Sequence, residues 1–67
     1  MEIFSERIKE LRLENNWSLR NLAERIDVSP VAISRWERGI RLPNIENLKQ
    51  LAVVFNVTTD YLVGLEN

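Results

Sequence analysis

Apolar residues recur along this chain in five runs spaced three and four apart, the period of one buried helical face. Phe4, Ile8 and Leu11 form the first run and predict a helix from about Ile3 to Asn15. Leu19, Leu22, Ala23 and Ile26 form the second, Ile33 and Trp36 the third, and Ile45, Leu48, Leu51, Ala52 and Phe55 the fourth. A short fifth helix is expected from Thr59 to about Val63. The last four runs each follow a small polar residue, Ser18, Ser29, Asn44 or Thr58, whose side-chain oxygen can accept a bond from the free amides of a first helical turn. Pro30 falls at a first helical position, where its missing N–H costs nothing. Trp17 with Leu22, Val28 with Ile33, and Val57 with Leu62 have the spacing of hydrophobic staples, which fix the angle of entry into a helix. These signals predict an all-α bundle of five helices in one small domain, residues 1–67.

Between the second and third helices lie only Asp27, Val28 and the cap Ser29, so their axes must cross steeply and one helix buttresses the other. On the third, expected from Pro30 to Arg38, Ile33 and Trp36 point inward. Pro30, Val31, Ser34, Arg35 and Arg38 fall on the opposite side. Gly39 suits a left-handed residue closing that helix. The loop Ile40 to Pro43 is read as bringing Arg38 and Arg41 together.

Composition removes several function classes. With no Cys and no His among 67 residues, there are no disulfides, no usual zinc ligands, and no Cys or His to act as nucleophile or base. No Gly-rich phosphate loop or calcium-ligand spacing is present, so no cofactor, no metal and no enzymatic activity are expected. No run approaches the roughly 20 apolar residues of a membrane span. The start MEIFSERIKE lacks a secretion-signal pattern, so a soluble cytoplasmic protein is expected, with no membrane partner and no evident small-molecule ligand.

The net charge of −1 argues at first against a polyanion partner. Its distribution reverses that impression. Residues 18–43 carry Arg20, Arg25, Arg35, Arg38 and Arg41 against Glu24, Asp27 and Glu37, so the positive excess coincides with the crossed helix pair.

Ser18, Leu22-Ala23, Val28-Ser29, Ile33-Ser34, Trp36-Glu37 and Gly39, at this spacing, resemble the helix-turn-helix domains of phage repressors and Cro-like regulators, the xenobiotic-response-element type. The likeness runs from about Phe4 to Gly64. It implies a compact five-helix bundle of the lambda-repressor-like kind and sequence-specific binding of double-stranded DNA. The expected protein is a transcriptional regulator, repressor-like, with its third helix in the major groove of a near-palindromic operator as a homodimer. On that reading Pro30, Val31, Ser34 and Arg35 face the bases, while Ser18, Ser29, Arg38 and Arg41 hold the DNA backbone. The resemblance also implies a structural ion pair between Arg12 and Glu37. Two positions depart from the family pattern: Leu19 stands where a polar phosphate contact is common, and Asp27 where the turn usually has Gly. The apolar surplus at Phe55, Tyr61, Leu62 and Leu65 fits either closure of the bundle or a dimer seam. The competing function is a protein-interaction or antitoxin-like module on the same fold, in which DNA contact is minor.

Overall fold

A computed structural model describes residues 2–67. Its helices are α1 (Glu2–Glu14), α2 (Leu19–Ile26), α3 (Pro30–Glu37), α4 (Ile45–Phe55) and α5 (Thr59–Val63), with no strand among the described residues. The bundle is that of the sequence reading. α1 starts and stops one residue early, and α3 ends at Glu37 with Arg38 as its C-cap.

All four expected caps form. Ser18 Oγ accepts from the Asn21 amide at 3.0 Å, and Asn21 Oδ1 accepts from the Ser18 amide at 3.1 Å, closing a reciprocal box that satisfies two exposed donors. Ser29, Asn44 and Thr58 accept from the amides of Ala32, Asn47 and Tyr61 at 3.1, 2.7 and 2.9 Å. The turn between α2 and α3 is left-handed at Asp27, with φ of 57°. Aspartate tolerates this backbone better than most residues, yet glycine has no Cβ to crowd the following carbonyl. Asp27→Gly is therefore expected to raise stability by about 0.5–1 kcal/mol in urea unfolding. A loss would mean that the carboxylate's own contribution and the greater freedom glycine gives the unfolded chain together outweigh the strain.

Phe4, Ile8, Leu22, Ile33, Leu51 and Leu62 are fully buried and draw one residue or more from every helix into the core. Trp17 packs at its edge, stacked on Phe55 with ring centroids 5.6 Å apart and covered on a ring face by the Arg25 guanidinium at 4.1 Å. Ile45 departs from the expected stripe: it is 78% exposed, because the buried face of α4 begins at Leu48. Val54 joins the core margin while Val53 stands in solvent.

Of the two readings of the last apolar residues, closure of the bundle holds for Phe55 and Leu62 and a seam does not. Phe55 and Leu62 belong to the core of their own chain and have no surface to offer a second molecule. Tyr61 is half-buried, with the Arg7 guanidinium 4.1 Å from its ring centroid. Of the four, Leu65 alone is openly exposed. Arg7 also donates to the main-chain oxygens of Tyr61 and Glu66, so α1 fastens the end of α5. No helix is long and apolar enough to cross a membrane among the described residues.

Candidate nucleic-acid interface

α3 is divided by its own periodicity: Ile33 and Trp36 are buried, while Pro30, Val31 and Arg35 are exposed and Ser34 is half-buried. Val31 is 55% exposed, an apolar side chain that nothing in its own chain covers. The inner side is held by α1 at two points. Ser5 Oγ donates to the Trp36 carbonyl at 2.7 Å in the core. Arg12 makes a two-pronged bond to Glu37, Nε to Oε2 at 2.7 Å and Nη2 to Oε1 at 3.0 Å, the fork geometry that suits a carboxylate.

The same guanidinium donates from Nη1 to the Trp17 carbonyl at 2.9 Å, tying the loop before α2 into the junction. With side chains only 11% and 7% exposed, the pair lies in a medium that screens poorly. The bond to Glu37 raises the Arg12 pKa above its ordinary value, burial opposes this, and the nearby negative charge adds to the rise. The ion pair implied by the resemblance is thus present, and it joins α1 to the end of α3.

Ser18 and Ser29 are exposed at the tips of α2 and α3. Each uses its hydroxyl oxygen as the cap acceptor, which leaves the O–H free to donate outward. At the start of α2, the dipole and the first-turn amides add a positive field suited to an anion.

The charges sort themselves on folding. Arg20 pairs with Glu24 at 3.4 Å on the exposed side of α2, and Arg25 lies on Trp17. Among the described residues neither ion pair involves Arg35, Arg38 or Arg41, so these three, with Arg25 on its ring, carry the unpaired positive charge of this segment. Sequence neighbourhood misleads on their grouping. After Gly39, at φ of 73°, the amides of Ile40 and Arg41 donate to the Arg35 carbonyl at 3.0 and 3.4 Å, folding Arg41 back onto Arg35.

Arg35 and Arg41 consequently line one open cleft of about 320 Å³, together with Ala32, Trp36, Asn44 and Asn47. Arg38, expected beside Arg41, lines a different cleft with Glu2, Glu6 and Glu37. No sequence signal marks Asn44 and Asn47 for this face. Asn44 reads as a helix cap, and only the return of the loop brings it beside the arginines.

The matches to known proteins agree with this geometry. The Cro/C1-type helix-turn-helix family matches residues 8–62. The chain is 43% identical over 63 residues to the transcriptional activator BcrR of Enterococcus faecalis, covering 94% of this chain and 31% of that protein. Among solved structures, the P22 c2 repressor of a Salmonella phage, in complex with a synthetic operator, superposes with a TM-score of 0.87 at 37% identity, covering 92% of this chain and 94% of that one.

The N-terminal DNA-binding domain of SinR from Bacillus subtilis gives 0.85 at 31% identity, covering 94% and 93%. The chain spans between about a third and a little over half the length of the curated relatives it matches. A buttressed α3 with an outward ridge, a match over most of the chain and agreement with a repressor domain throughout its length lead to one assignment: the chain belongs to the Cro/C1-type helix-turn-helix family.

Proposed function

We propose that this chain binds duplex DNA sequence-specifically as the reading domain of a transcriptional regulator, with α3 in the major groove. The observation that carries the reading is the open ridge of Val31, Ser34 and Arg35 on a helix locked from behind by Ser5 and Arg12. Arg35 takes O6 and N7 of one guanine with its planar fork. Val31 and the ring of Pro30 touch thymine methyls, and Ser34 bonds a base edge. Ser18, Ser29 and Arg41 hold phosphates and so set register without reading sequence. Arg38, which shares its cleft with Glu2, Glu6 and Glu37, contributes less to that hold than Arg41. Two copies read a near-palindromic site whose halves lie about 34 Å apart. Relatives of this domain include an activator and a repressor, so the sign of regulation is not a property of α3.

Selection of bound duplexes from a random pool tests this directly. A shared, two-fold repeated motif is expected; indifference to sequence would overturn it. The competing protein-interaction reading predicts weak duplex binding at any ionic strength, whereas phosphate contacts make affinity fall steeply as salt rises. Arg41→Ala is expected to weaken all sequences alike and to reduce the slope of log affinity against log salt by about one. An unchanged slope would remove Arg41 from the phosphate contacts.

A further inference from the structure

The first turns of α1 lie against the end of α3. Ser5 Oγ bonds the Trp36 carbonyl, and a Cβ added to Gly39 would stand 3.5 Å from the same oxygen, so the turn after Arg38 rests on α1. Between the two elements opens a cleft of about 310 Å³ lined by Glu2, Ser5, Glu6, Glu37, Arg38 and Gly39. Its charged groups are not equivalent. Glu37 gives both carboxylate oxygens to Arg12. Glu2, Glu6 and Arg38 are all exposed, and none of them enters either ion pair of the described residues. Glu2 and Glu6 occupy one side of α1, four positions apart, a spacing at which like charges destabilise a helix. The helix by itself thus disfavours the pair, whereas a guanidinium across the cleft offsets their repulsion. The cleft of Arg35 and Arg41 has no carboxylate among its lining residues.

We infer that Glu2 and Glu6 are positioning residues for Arg38: they draw its guanidinium into the cleft and withhold it in part from DNA phosphate. On the duplex-binding reading above, on which this rests, the two carboxylates set how tightly the chain holds any duplex, and do so without touching DNA. The size of the hold follows from exposure. Opposite charges in water attract by a factor of about 1.4 to 5 in equilibrium constant, far less than a buried pair such as Arg12 and Glu37. So weak a hold yields when a phosphate comes within reach, and affinity falls by that same factor. Phosphate contacts carry no sequence information, so every duplex is weakened alike. α1 then sets affinity, while α3 sets base preference.

The experiment has one arm with DNA and one without. In the first, a duplex selected from the random pool and an unrelated duplex are titrated across salt with the parent, Glu2→Gln/Glu6→Gln, Arg38→Ala and the triple variant. The glutamine pair is expected to tighten both duplexes by about two- to five-fold. It should also steepen the slope of log affinity against log salt by up to about one. In the Arg38→Ala background the gain in affinity is expected to fall to less than half. Half or more means that the carboxylates repel DNA directly, and it overturns their action through Arg38; so does no gain in the parent background. Glu2 stands in the first turn of α1, where a negative charge also supports the helix. Thermal unfolding therefore checks each variant, and Glu6→Gln alone repeats the test beyond that turn. In the second arm, NMR relaxation of the free chain should find the Arg38 Nε–H more ordered than that of Arg35, and reduced to the Arg35 level in the glutamine pair. Equal order in the parent overturns the hold. Failure of the parent to bind either duplex instead overturns the DNA reading, and the relaxation arm then still decides whether the carboxylates hold Arg38.

Discussion

Arg12→Ala and Glu37→Ala should each lower the unfolding free energy by about 3 kcal/mol, the low end for a buried pair broken from one side. Loss of either partner leaves the other charge almost wholly out of water, with 11% and 7% of the side chains exposed. Arg12→Ala also strips the Trp17 carbonyl of its donor. For a chain of 67 residues, whose total stability is on the order of 3–10 kcal/mol, the single variants approach the threshold of folding. The midpoint of thermal unfolding should drop by about 12–24 °C.

Replacing both residues with apolar side chains of similar volume should cost less than either single change, because no orphaned charge remains. Urea and thermal unfolding of the three variants check this. A loss under about 1 kcal/mol for the singles would show that the pair behaves as a solvated one. The sign with pH also follows. A folded-state pKa raised above its ordinary value contributes stability at every pH below that value and loses it only above. The guanidinium side of this pair therefore does not weaken across the neutral range.

Arg35→Ala should act on specificity instead. Its side chain is exposed on α3 and enters no ion pair among the described residues, so its removal creates no cavity and orphans no charge. Loss of a two-pronged guanine contact removes about 1–3 kcal/mol of discrimination, roughly 5- to 150-fold, at one position in each half-site. Parallel selections from a random pool with the parent and the variant measure this position by position. Equal weakening on every sequence would assign Arg35 to the backbone, a role that its shared cleft with Arg41 makes worth testing.

The caps and staples made most of this molecule legible before any coordinates. Ser18, Ser29, Asn44 and Thr58 mark four helix starts by local chemistry alone, and local chemistry is what a sequence displays. The outward side of α3 was legible for the same reason, through the spacing of Ile33 and Trp36. What escaped depends on contacts between distant segments. Arg7 reaches Tyr61 and Glu66 across nearly the whole chain, and no motif announces it. Phe55 and Leu62 use the same apolar alphabet whether they close a core or meet a partner, and only packing tells the two apart. Arg38 and Arg41 are near in sequence but part company because the left-handed Gly39 turns the chain between them.

Ser5 and Arg12 both belong to α1, and both fasten the far side of α3. The exposed ridge of α3 is consequently no sturdier than the amino-terminal helix behind it. Unravelling of α1 would release α3 without altering Val31, Ser34 or Arg35, and a lesion there would mimic the loss of one of these side chains while leaving all three intact. Hydrogen exchange should find the amides of α1 and α3 opening together, as one cooperative unit.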